Sequence, residues 1–93
     1  MAQTTILAAG KTAATSADVA VGAGSNATVG MYAGAGVTIP MNIELVIYAD
    51  TPGGDQRVGV LNNKSPVVVV SGPGTFRVTR PVITVDVGAF SET

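Results

Sequence analysis

The stretch from Pro66 to Pro81 constrains the fold more than any other part of the chain, because it favours extended backbone. Residues 67–70 are four consecutive valines, which are β-branched, stiff at χ1 and suited to a pleated, buried surface. The sequence Ser-Gly-Pro-Gly at 71–74 then favours a tight turn, in which glycine can supply a positive φ. Phe76 and Val78 follow in alternation with polar residues, the period of a strand. The stretch therefore predicts strand, turn and strand, bounded by prolines that cannot donate to a ladder.

Short alternating segments separated by turn residues recur along the rest of the chain. They fall at residues 3–7, 18–21, 27–33, 41–50, 56–61 and 82–90. No stretch of about ten residues has the apolar stripe of an amphipathic helix. Seven or eight short strands with this spacing predict an all-β fold, an antiparallel β-sandwich of immunoglobulin-like or jelly-roll-like type.

The length of the chain predicts one domain. It has 93 residues, enough to bury roughly two-thirds of the surface that it exposes when unfolded. We expect residues 1–17 to form an N-terminal arm or a first edge strand, and residues 18–93 to form a single β-sandwich domain. The start of the sequence lacks a basic region followed by an apolar core, and no apolar run approaches the roughly twenty residues of a membrane-spanning helix. We therefore expect synthesis in the cytoplasm and no membrane partner.

Charge is scarce in this sequence. Five basic and six acidic residues give no electrostatic reason to expect nucleic acid as a partner. Only 12% of residues are charged, against about a quarter in typical soluble chains. Such a surface is weakly protected against association, which predicts that copies of the chain or a larger assembly cover part of it. A small, well-packed valine-rich sandwich is a compatible, simpler interpretation.

The residue inventory argues against catalysis. The sequence contains no histidine and no cysteine, so the usual nucleophile systems and the commonest zinc ligands are missing. Asp50 and Asp55 lie close together but flank a predicted hairpin turn, where aspartate normally bonds its own backbone. A calcium site at this pair would have few further oxygen donors. We therefore expect no catalytic residue, no metal and no cofactor.

The strand predicted at 41–50 has a mixed outer face, which makes it a candidate for contact with a partner. Its inward residues would be apolar, namely Ile43, Leu45, Ile47 and Ala49. Its outward residues would be Glu44, Val46, Tyr48 and Asp50, fewer charges than a fully solvated face carries. The predicted interface residues, taken from this strand, the Phe76 strand and the hairpin turn, are Val46, Tyr48, Asp50, Asp55, Arg77 and Thr79.

Three further structural predictions follow from the same patterns. Val58 and Val60 are predicted to point inward from the strand at 56–61. Arg77 and Arg80 are predicted to lie together on the outer side of the Phe76 strand. The valine run at 67–70 would be an aggregation hazard at an open edge, so it is predicted to be central or covered by a partner.

Two segments resemble small structural proteins of tailed-bacteriophage virions. They are TTILAAGKTAATSADVAV at 4–21 and SGPGTFRV at 71–78, about a quarter of the chain, whereas residues 22–65 match no one subtype. The resemblance implies an all-β head-decoration, head-fibre or tail-associated protein, present in many copies on the virion. It implies the major capsid protein or another virion protein as partner, and no catalytic residues. We expect a homo-oligomer, with a trimer favoured.

A ligand- or receptor-binding module is the alternative interpretation. A fibre head or carbohydrate-binding head would use the loops at 50–55 and 62–65, with Tyr32 and Tyr48 as stacking surfaces for a sugar. Loss of glycan binding on replacement of Tyr48 or Asp55 would favour this alternative.

Overall fold

The computed structural model describes residues 3–34 and 36–93. The regular secondary structure in these ranges consists of β-strands. The strands are β1 (Gln3–Gly10), β2 (Ala14–Thr15), β3 (Val19–Val21), β4 (Asn26–Ala33), β5 (Leu45–Thr51), β6 (Gly54–Leu61), β7 (Val67–Ser71), β8 (Gly74–Arg80) and β9 (Val87–Glu92). The predicted all-β class is confirmed. The described ranges contain no helix long and apolar enough to cross a membrane.

The strands form two antiparallel sheets that pack as a sandwich, as predicted. The four-stranded sheet has the order β1-β9-β4-β7, and the five-stranded sheet has the order β2-β8-β5-β6 with β3 also paired to β8. The apolar residues of each inner face meet in one core. The largest side chains that are almost fully buried are Leu45, Ile47, Leu61, Val29, Val78 and Val87. The predicted inward side of the 41–50 segment is therefore confirmed at Ile43, Leu45 and Ile47.

The central stretch from Pro66 to Pro81 forms both predicted strands, but these strands do not pair with each other. β7 pairs with β4, whereas β8 pairs with β5, so the turn between them carries the chain from one sheet to the other. The Gly72–Pro73 peptide bond in this turn is cis. Neither glycine of the turn has a positive φ. Gly72 is needed for space instead, because a Cβ there would lie 2.1 Å from the carbonyl oxygen of Gly22.

The predicted hairpin at 50–55 is confirmed as the connection between β5 and β6, but the orientation predicted for β6 was wrong. Ile47 pairs with Gly59 and Tyr48 with Arg57, so Val58 is the extra residue of a β-bulge. Leu61 is buried, whereas Val58 is 53% exposed. Val60 pairs with Val46 on the outer face. A bulge cannot be read from alternation alone, because it changes which residues face inward.

Two predicted strands are shorter than expected at their N-terminal ends. Residues 41–44 precede β5, since the backbone turns where the amide of Ile43 donates to the carbonyl of Pro40 at 3.2 Å. Residues 82–86 precede β9, and the amide of Ile83 donates to the carbonyl of Lys11 at 2.9 Å. Both segments follow a proline, which interrupts a ladder because it has no N–H.

The valine strand β7 lies at an edge of the four-stranded sheet, so the central position predicted for it was wrong. The other predicted possibility, that a partner covers this strand, stays a prediction. Residues 3–17 include β1 and β2, which pair with β9 and β8. Residues 1 and 2 of the predicted N-terminal segment lie outside the described residues.

Arg80 is buried, contrary to the prediction that it shares the outer face with Arg77. The two lie three positions apart, and side chains alternate along a strand, so they must point to opposite faces. Arg80 is only 4% exposed. Its guanidinium donates to the backbone carbonyl groups of Thr12 (2.7 Å), Ala8 (2.8 Å) and Val87 (2.7 Å). These bonds hold the irregular end of β1 against the neighbouring strands.

Candidate interaction surfaces

The structure brings the six predicted interface residues together on the outer side of the five-stranded sheet. Val46 pairs with Thr79 and Tyr48 with Arg77, so these four residues share one face of β5 and β8. Asp50 and Asp55 oppose each other at the hairpin end of the same sheet. We call this surface the charged face.

Arg77 is the centre of the charged face. Its Nε donates to Oδ1 of Asp18 at 3.0 Å, its Nη1 contacts Oδ1 of Asp55, and its Nη2 lies 4.0 Å from Oδ2 of Asp50. The hydrogen bond to Asp18 is the largest cause that raises the pKa of Arg77 above its usual value, and the charges of the three aspartates act in the same direction. Arg77 therefore stays protonated in any ordinary buffer.

Asp18 belongs to this cluster and was missed by the sequence analysis. It precedes β3, which pairs with β8 so that Val19 opposes Phe76 and Asp18 comes beside Arg77. Only that pairing could have identified it. Elsewhere on this face Arg57 lies 3.8 Å from Glu44. The ions of the charged face are thus largely paired with one another, and exposed pairs of this kind contribute little to stability. Within the described ranges no group of three or more histidine, cysteine, aspartate or glutamate side chains is arranged so that it could hold a metal ion.

The outer side of the four-stranded sheet has a different character, and the sequence analysis did not single it out. The strand pairing places twelve residues on this side: Gln3, Thr5, Asn26, Thr28, Gly30, Tyr32, Val67, Val69, Ser71, Gly88, Phe90 and Glu92. Glu92 is the one charged residue of this set, and it lies at one end of the sheet. We call this surface the neutral face.

Two aromatic rings lie flat on the neutral face because each is paired with a glycine. Phe90 opposes Gly30, and Tyr32 opposes Gly88. A Cβ on Gly30 would lie 2.5 Å from the Phe90 ring, and one on Gly88 would lie 2.7 Å from the Tyr32 ring. The hydroxyl of Tyr32 donates to the carbonyl of Leu7 at 3.4 Å. The rings thus cover the backbone of the sheet, as aromatic side chains do beside strand glycines.

A shallow depression lies beside these rings on the neutral face. Its volume is about 310 Å³, and it is lined by Gln3, Thr5, Tyr32 and Phe90. Val67 and Val69 extend the apolar surface to the β7 edge, where they are 48% and 60% exposed. The face offers apolar contact and a few hydrogen-bonding groups, a composition suited to binding another surface.

Comparison with models of known protein families, with curated proteins and with solved structures found no match.

Proposed function

We propose that this protein is a non-enzymatic structural component of a bacteriophage virion, which decorates or cements the capsid or another virion part. The neutral face supports this proposal more than any other feature. It has exposed valines, two aromatic rings that lie flat on the sheet, and a single charge at one end. The virion as the setting comes from the resemblance to tailed-phage virion proteins that we inferred from the sequence at residues 4–21 and 71–78. The protein would be made in the host cytoplasm and act on the particle.

The proposed mechanism is binding by mass action. A protein that binds only the assembled particle stabilises that particle, by an amount that grows with its concentration relative to Kd. A standard interface buries about 800 Å² of each partner. Burial of the neutral face removes apolar surface from water with little of the desolvation cost that buried charges carry.

The charged face remains the alternative contact surface. Its residues Val46, Tyr48, Arg77 and Thr79 were the ones predicted from sequence, with Asp50 and Asp55 at the hairpin. Contact through this face would have to accommodate ions that are already paired within the chain. The proposal includes self-association as a homo-oligomer.

Two lysine substitutions, one on each sheet, test which face binds the particle. Thr5 is an exposed residue of the neutral face, and Ala20 is an exposed residue of β3 on the other sheet. We expect Thr5→Lys to weaken binding at least about tenfold, because the interface would bury an unpaired charge. Ala20→Lys should bind as the unchanged protein does.

The measurement is cosedimentation of purified protein with particles of the phage that carries this gene, grown from a mutant lacking it. If Ala20→Lys lost binding to the particles and Thr5→Lys did not, the contact would be assigned to the charged face. Failure of the unchanged protein to sediment with the particles would contradict the proposal.

The depression beside Tyr32 and Phe90 favours a second candidate function, that of a carbohydrate-binding module. Flat aromatic rings next to hydrogen-bonding side chains are a common surface for stacking a sugar. This candidate predicts glycan-array binding that Thr5→Lys reduces in the absence of any particle. No binding across the array would exclude the saccharides tested.

A further inference from the structure

We propose that the free edge of β7 is the place where two copies of this chain pair, antiparallel across a two-fold axis, to form a dimer. The four-stranded sheets of the two copies would then join into one continuous sheet. This inference deepens the self-association part of the proposed function and names the surface responsible for it.

The backbone of β7 has free hydrogen-bonding groups on its outer side. The amide of Met31 donates to the carbonyl of Pro66, and the amide of Gly72 donates to the carbonyl of Ser25, both at 2.9 Å. These two bonds mark the ends of the ladder with β4, so even-numbered residues bond inward in this antiparallel pair. Val67, Val69 and Ser71 therefore direct their N–H and C=O groups away from β4.

The other edges in the described part of the chain carry features that discourage pairing, and β7 does not. β6 bears Asp55, Arg57 and the bulge at Val58, and β1 has two register irregularities. β2 and β3 are two and three residues long. β7 has five residues, no charge, no proline and a regular register with β4. Charges, bulges and short length are the usual protections of an edge strand.

A second copy is the occupant that fits this edge, because the outward groups of β7 are complementary to themselves. A two-fold axis at Val69 would set Val69 against its own copy, and Val67 against Ser71 of the other copy. These are the residues whose backbone groups point outward, so the pairing would form about six hydrogen bonds. A charge at the centre would face the same charge, but the central residues are valines, which pack well as cross-strand neighbours.

The test uses two matched substitutions and the mass of the protein in solution. Val69 and Val58 are both exposed valines on edge strands, 60% and 53% exposed respectively. Light scattering after size exclusion, over a series of concentrations, should give twice the chain mass for the unchanged protein and for Val58→Lys. Val69→Lys should give the mass of one chain, because two lysines would meet at the axis. Far-ultraviolet circular dichroism and a thermal melt verify that each variant is folded.

Three results would overturn the inference. They are a monomer for the unchanged protein at every concentration, a trimer, or a dimer that Val69→Lys leaves intact. Cosedimentation of the same variants with particles keeps the two proposals apart. If the unchanged protein is a monomer that binds particles, the dimer is excluded and the proposed function stands. If the unchanged protein is a dimer that binds no particle, the reverse holds.

Discussion

Arg80 is a buried cation whose partners are backbone carbonyl groups. Its three hydrogen bonds join the irregular end of β1, the segment before β2 and the start of β9. Arg77, three residues earlier, points to the opposite side and is surrounded by aspartates. Two arginines of one strand thus have separate tasks: Arg80 satisfies backbone groups inside the sandwich, and Arg77 organises charges on its surface.

We predict that Arg80→Met destabilises the fold by about 3 kcal/mol, because it leaves buried carbonyl groups without donors. Arg77→Met should cost much less, since its ion pairs are open to solvent. Urea unfolding of both variants measures the difference. Equal destabilisation by the two substitutions would contradict the role assigned to Arg80.

The glycines beneath the aromatic rings lead to a second prediction. Gly88→Ala should cost about 1–3 kcal/mol, because its Cβ would lie 2.5 Å from the carbonyl oxygen of Leu7 and would also displace the Tyr32 ring. Gly22→Ala is the control, since nothing lies within 4 Å of a Cβ there and its φ is not positive. If thermal unfolding showed the same stability for Gly88→Ala as for Gly22→Ala, the rings would not lie as described.

At the scale of the strands, alternation alone predicted which residues of β5 face the core, but it failed for β6. β5 alternates without interruption between Leu45 and Asp50, whereas the bulge at Val58 reverses the alternation for the residues that precede it in β6. Val60 points outward because its neighbour Leu61 points into the core. Alternation also separates Arg77 from Arg80, so the buried position of Arg80 could have been predicted from spacing. The edge position of β7 could not, because the valine run does not specify which strand it pairs with.

Hydrogen exchange gives a prediction specific to β7. The amides of Val68 and Val70 point toward β4, so we expect them to be protected at every protein concentration. The amides of Val67, Val69 and Ser71 point outward and should become protected only as the concentration rises and dimers form. Exchange followed by NMR resolves the residues individually. If the exchange rates of these outward amides did not depend on protein concentration, pairing at this edge would be contradicted.

For the molecule as a whole, the sequence predicted the sandwich but not the neutral face. Strand periodicity and turn residues suffice for the fold class, because they depend on local preferences. The neutral face arises from β1, β9, β4 and β7 lying side by side, and strands far apart in sequence contribute to it. Glycines 30 and 88 look like ordinary small residues until the pairing sets aromatic rings across them.

The scarcity of charge has a structural counterpart at this scale. The charged residues of the outer surfaces are concentrated around Arg77 and Arg57 on one sheet, while the other sheet presents the neutral face. A two-faced sandwich of this kind can bury one side against an assembly and keep the other in water. The shortage of charge is thus greatest on one surface of the molecule.

The most direct test of the proposed function is quantitative mass spectrometry of virions purified by density gradient from the phage proposed to carry this gene. We expect peptides of this chain in the particles, in many copies relative to the major capsid protein. Peptides present in the infected-cell lysate but missing from the purified particles would contradict a structural role in the virion.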